Sequence, residues 1–246
     1  MTEHITSRQN ELSRHLDRLC GRASYRRSCG QYLCDGEKLL ADALASGIVP
    51  LTVAASEDFT LPPLPGAARV VTMPSRLIDA LSPTDTPQGV LFVCQVPPAL
   101  SAPPEKGRFL LLDGVQDPGN VGAILRTAEA LGLPGVYFSG ACADPFGPKA
   151  VRAGMGALFR LPVGFTNPGE ILAGPLPLYA TALDPGAKPI SSLPGGDYVL
   201  ALGSEGSGLS PELLDGAAGR FYIPMNGGAQ SLGVAAAAAI IAFIMS

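Results

Sequence analysis

With 246 residues the chain has room for one large or two small domains, and 47% hydrophobic content is enough for a packed core. A net charge of −4 argues mildly against a binder of nucleic acid driven by electrostatics alone, and the longest apolar run, Val234–Met245, is too short to span a bilayer. Five cysteines without a Cys-x-x-Cys pair, and histidines only at His4 and His15, lack the spacing of a zinc site and make a histidine-dependent triad hard to place.

In chain order, the polar, amphipathic N-terminus does not read as a signal peptide, and the cysteines read as reduced thiols of a cytoplasmic protein. Residues 1–38 carry seven Lys/Arg against five acids, among them Arg14, Arg18, Arg22, Arg26 and Arg27. This basic end reads equally as a phosphate contact or as a solvated helix face. Apolar spacing predicts helices at Asn10–Leu19 and Glu37–Ala45, and short strands at Leu51–Ala55, Arg69–Thr72 and Gly89–Gln95. Val96–Gly107 contains four prolines, which disfavour both helix and central strand, so it reads as a linker.

Beyond it, strands are expected at Phe109–Leu112, Val136–Phe138, Leu178–Ala182, Tyr198–Leu202 and Arg220–Ile223. Helices are expected at Val121–Leu131, Ala150–Leu158, Pro211–Gly216 and Ser231–Met245. This alternation predicts an α/β fold with a mostly parallel sheet covered by helices. The domains are therefore expected at 1–96 and 108–246, joined by a linker at 97–107.

Three glycine-rich turns fall at predicted strand ends, where such sheets bind ligands. In the first, DPGNVGAILR, Asn120 stands where a helix N-cap is wanted, and Gly122 lies one turn before Arg126, leaving space beside its guanidinium. The bland alternative is an exposed Arg126 paired with Glu129 at i+3. The second, GSEGSGLS, allows close backbone approach to a ligand, with Glu205 as its single charge. It has neither P-loop nor dinucleotide spacing, and a plain left-handed turn explains it as well. The third, IPMNGGAQSLG, sets Ile223 and Met225 beside glycines and suits a flat heteroaromatic ring. Ser231 is a candidate cap for the last helix, and a simple connection into that helix is the plain alternative.

Together the three turns resemble the SpoU/TrmH family of RNA ribose 2′-O-methyltransferases, in the SPOUT superfamily. Its Asn-x-Gly followed by Arg is matched at Asn120, Gly122 and Arg126. Its Gly-x-Glu-Gly-x-Gly-Leu is matched at Gly203–Leu209, and its Ile-Pro-Met followed by Ser-Leu at Ile223–Met225 and Ser231–Leu232. Ser7–Asn10, the CDGEKLLADAL stretch and Thr86–Val93 resemble the family's substrate-binding domain.

The resemblance implies a trefoil-knotted C-terminal domain with a small L30e-like α/β N-terminal domain, a homodimer, and S-adenosylmethionine bent within the knotted loops. It implies Gly203, Ile223, Met225 and Leu232 around the adenosine, and Asn120, Arg126, Glu205 and Ser231 around the reacting centre. RNA, ribosomal RNA first, is the implied partner, with neither metal nor membrane. Where the family reads Ser-Leu-Asn-Val-Ser, this chain reads Ser231-Leu232-Gly233-Val234-Ala235. A catalytically silent RNA-binding or ribosome-assembly factor on the same fold is the alternative.

Overall fold

The computed structural model describes residues 3–229 and 231–246; Gln230, inside the third turn, lies outside them, as do the first two residues. The chain divides into two units, one of residues 1–97 and 144–159, the other of residues 98–143 and 160–246. The change of unit near Pro97 falls inside the proline-rich segment read as a linker. Asp144–Phe159, expected with the C-terminal domain, belongs to the first unit instead.

The first unit contains β1 (Glu3–His4), α1 (Glu11–Gly21), α2 (Ala23–Cys29), β2 (Gln31–Asp35), α3 (Glu37–Ala45), β3 (Thr52–Ser56), β4 (Arg69–Met73), α4 (Ser75–Leu81) and β5 (Val90–Gln95). The Asn10 side chain accepts the Leu12 N–H at 2.8 Å and so caps α1. Leu12, Leu16 and Leu19 recur at helical spacing and bury one face of it. The sheet order is β1-β4-β3-β5-β2, parallel from β1 through β3 and antiparallel around β5. Leu16, Leu19, Leu33, Val71, Ile78 and Leu91 form much of its core.

The second unit opens with β6 (Arg108–Asp113), α5 (Pro118–Ala130) and β7 (Val136–Ser139). The chain then contributes α6 (Pro148–Gly154) to the first unit. The helix expected at Ala150–Leu158 breaks at Met155 and Gly156, both at positive φ, and Ala157–Phe159 forms a separate 3-10 turn. Gly156 cannot carry a Cβ without colliding with the Asp42 carboxylate, so packing rather than apolar spacing ends this helix.

The chain resumes in the second unit with β8 (Val163–Phe165), α7 (Pro168–Leu172), β9 (Leu178–Thr181), β10 (Lys188–Pro189), β11 (Tyr198–Gly203), α8 (Pro211–Gly216), β12 (Gly219–Tyr222) and α9 (Val234–Met245). All seven strands are parallel, in the order β10-β12-β9-β11-β6-β7-β8. The central pair, β6 and β11, reads as continuous apolar sequence because helices cover both faces of such a sheet. Helix α5 packs against α9, whose alanines allow close approach.

Candidate active site

The first turn leaves β6 through Gly114, at φ +69°, and enters α5. Its cap is Asp117, whose carboxylate accepts the Asn120 N–H at 2.8 Å. Asn120, expected at the cap, sits instead in the first helical turn. Pro118 at the helix start explains the shift, since its fixed φ and missing N–H suit that position. The displaced Asn120 side chain is free to do something else: its amide donates to the Glu205 carboxylate, 85 residues on, joining the first turn to the second.

The second turn closes on itself. Ser204 and Gly208 exchange two backbone hydrogen bonds of 3.1 and 3.0 Å, while the Ser204 and Ser207 hydroxyls meet at 2.8 Å. Gly208 holds φ +69°, and a Cβ on Gly203 would collide with the backbone of Gly208 and Leu209. Glycine is required at 203 by this close approach. Glu205 is thereby presented on an exposed tip, fixed by Asn120.

A cavity of about 340 Å³ opens beside this turn, within the range of about 300–1,000 Å³ common for small-molecule sites. Gly203, Glu205, Ile223, Met225, Ser231 and Leu232 all line it, so residues singled out in two separate turns converge on one space. Thr181, Leu183 and Tyr222 line it too. They lie at the ends of β9 and β12 or just beyond, and only the strand-end position in the sequence could have pointed to them.

Arg126 is not part of that lining. It stands exposed on α5, and among the described residues no hydrogen bond or ion pair engages its guanidinium. Glu129, its expected partner, is bound instead to Arg160 at 2.7 Å. Ser231 does not cap the last helix: α9 begins after Gly233, at φ −59° and ψ 146°, with no side-chain cap. The third turn thus keeps Ser231 and Leu232 outside the helix, facing the cavity.

In the basic N-terminal segment one expectation fails. Arg26 is not a surface contact for phosphate; it is 6% exposed and bound to Asp144 at 2.7 and 2.9 Å. Its remaining nitrogen donates to the carbonyls of Leu19 and Cys20. Among the described residues no group of three or more His, Cys, Asp or Glu side chains is placed to hold a metal, and no helix is long and apolar enough to cross a membrane.

The profile of the SpoU rRNA Methylase family matches residues 107–243. The chain is 36% identical over 218 residues to the Bacillus subtilis 23S rRNA (guanosine(2553)-2′-O)-methyltransferase RlmP, covering 86% of this chain and 87% of that protein. Among solved structures, a putative RNA methyltransferase of the TrmH family from Porphyromonas gingivalis is 33% identical, with a TM-score of 0.80 over 94% of this chain and 95% of the other. An AdoMet-bound rRNA methyltransferase from Sinorhizobium meliloti aligns with a TM-score of 0.85 at 28% identity, over 99% of this chain and 97% of the other.

Proposed function

The chain belongs to the SpoU rRNA methylase family, and from that premise we propose that it transfers a methyl group from S-adenosylmethionine to a ribose 2′-hydroxyl of ribosomal RNA. The observation that carries this reading is the convergence of Gly203, Glu205, Ile223, Met225, Ser231 and Leu232 on one cavity, with Asn120 tied to it through Glu205. The cavity fits the cofactor's adenosine on chemical grounds. Apolar Ile223, Met225 and Leu232 supply surface for a heteroaromatic ring.

The cofactor supplies an electrophilic methyl group, so the protein's task is to orient the hydroxyl and to manage its proton. The proton leaves to water, and Arg126 is suited to steadying the oxygen that loses it. A guanidinium stays protonated at neutral pH and makes a poor base. Unpaired, it offers a planar fork that stabilises a developing alkoxide and grips the neighbouring phosphate. In this reading Glu205, held by the Asn120 amide, and Ser231 position groups at the reacting centre.

Positions 233 and 235, where this chain departs from the family, are not in the cavity lining. Leu232 and Val234, on either side of position 233, still line it, and nothing in the structure favours the silent factor. Within the same reading the first unit holds the RNA, the active form is a knotted homodimer, no metal takes part, and the protein works in the cytoplasm. The outer face of α9 supports the dimer: Phe243 is 72% exposed, beside exposed Ile240 and Ile244.

Transfer of labelled methyl from S-adenosylmethionine to undermodified RNA, followed by alkaline hydrolysis, tests the proposal. Label in alkali-resistant dinucleotides is the expected result, because a methylated 2′-oxygen cannot cleave its phosphodiester. Absence of incorporation into any RNA fraction would overturn it.

A further inference from the structure

Beneath the second turn lies a carboxylate outside the cavity lining. Asp113 ends β6, an interior strand of the sheet beside β11, and is 5% exposed. In the sheet it stands between Gly203 of β11 on one side and Ser139 of β7 on the other. Its Oδ2 accepts the Ser210 N–H at 2.8 Å, a bond spanning 97 residues. Its Oδ1 lies against Gly140, which holds φ +63° and where a Cβ would come within 2.9 Å of it. Among the described residues it has no ion pair. Around it the Ser139 and Ser210 hydroxyls are buried without hydrogen-bond partners among the described residues.

Burying a carboxylate with one hydrogen bond, beside two unpartnered hydroxyls, is a poor arrangement for stability alone. Its location gives it a use. Ser210 closes the segment that begins at Gly203, so the bond fastens the far end of the second turn to the same strand end that starts the first. The near end is fastened by β11 itself. With both ends held at Asp113, the turn is fixed to the sheet, and Glu205 stays within reach of Asn120.

We propose that Asp113 is a positioning residue that anchors the Gly203–Ser210 turn and thereby sets Glu205 against Asn120 at the cavity. The effect of the anchor on binding and turnover rests on the methyltransferase reading; the anchor itself does not. A carboxylate suits the role because it is an acceptor at both oxygens and holds an N–H more strongly than a neutral group would.

Hydrogen exchange on the full chain without ligand tests the anchor. Asp113→Ala should speed exchange across residues 204–210 by about tenfold, the loss of one hydrogen bond to a charged acceptor, with first-unit rates unchanged. Asp113→Asn keeps an oxygen for the Ser210 N–H and should restore most of that protection. Unchanged exchange in the turn, or acceleration spread evenly over both units, would overturn the proposal.

Calorimetric titration and turnover then read the consequence. Asp113→Ala should weaken S-adenosylmethionine binding by about tenfold. Glu205→Ala should cost turnover in the parent but little more in the Asp113→Ala background, because the anchor acts through Glu205. Fully additive losses would overturn the link to Glu205. A parent protein that binds no S-adenosylmethionine would instead defeat the methyltransferase reading, while exchange still decides the anchor.

Discussion

Helices α2 and α5 each carry an arginine that the sequence marks as a candidate contact for RNA, and the fold puts the two to opposite uses. Arg26 is enclosed in the first unit, with Asp144 and two carbonyls taking its donors. Arg126 stands on the surface of the second, its guanidinium unengaged among the described residues. A guanidinium whose donors are all satisfied by protein has little left for a ligand. One with none satisfied is costly only if it is buried, and Arg126 is not. The contrast teaches that the same residue type is structural where its hydrogen bonds close internally and available for chemistry where they remain open.

The sharpest way to break the comparison is to remove each arginine. Arg26→Ala leaves the Asp144 carboxylate, 17% exposed, without its partner, and such a loss costs about 3–5 kcal/mol. A fall of roughly 10 °C in the unfolding midpoint of the first unit is expected by calorimetry. A drop of a degree or two would show that the pair is not structural. Arg126→Lys keeps the charge and loses the planar fork. Turnover should fall by about 100-fold or more, with the midpoint and cofactor affinity unchanged. Parent-like turnover would remove Arg126 from the site.

Gly203 sharpens the contrast because there fold and site are inseparable. Gly203→Ala forces a methyl into the Gly208–Leu209 backbone, so a loss of about 1–3 kcal/mol is expected together with weakened cofactor binding. Denaturant titration and calorimetry measure the two effects on one preparation. Loss of binding with full stability would show that the turn accommodates the methyl by deforming the cavity alone.

A smaller effect tests whether polar groups of the first unit are generally structural. One His15 ring nitrogen meets the Tyr25 hydroxyl and the other the Gln31 side-chain carbonyl, each at 2.9 Å. This fits a neutral ring that accepts from Tyr25 and donates to Gln31. Burial holds the His15 pKa below its usual value, against the pull of the Gln31 bond; Arg18 lowers it and Glu11 raises it. The unfolded chain therefore binds the proton more readily. Stability should fall as pH drops through about 6.5 and level off below the folded-state pKa. His15→Gln should flatten that part of the stability profile; an unchanged slope would acquit the histidine.

What was legible in the sequence follows the same division. Strands with continuous apolar runs, such as β6 and β11, announce themselves because burial on both faces demands them. The three turns were legible because glycines cluster only where backbone must come close. What escaped reading depends on contacts between distant segments. The fate of Arg26 turns on Asp144, 118 residues away. The end of α6 turns on Asp42, and the cap of α5 moved from Asn120 to Asp117 through Pro118. Strands β8 and β10 have three and two residues and carry no periodic signal. The sequence leaves Arg126 open to a pairing with Glu129, and only the structure shows Glu129 taken by Arg160.

The least effect is expected where the chain departs from its family. Gly233 occupies the cap position of α9 with no side-chain hydrogen bond, and a Cβ there meets none of the described residues within 4 Å. Gly233→Asn therefore fits without strain and offers an acceptor to the first free N–H groups of the helix, a gain of a few tenths of a kcal/mol, at most about 1. If the new side chain is taken up by the helix start, cofactor affinity should stay within about threefold of the parent, a difference worth less than 1 kcal/mol. Unfolding and calorimetric titration measure both. A tenfold gain in affinity would mean that the helix start, and not the lining alone, governs the cavity. A gain in stability without one shows that the residue at 233 bears on the helix start alone, and leaves the chemistry to Arg126 and the residues that line the cavity.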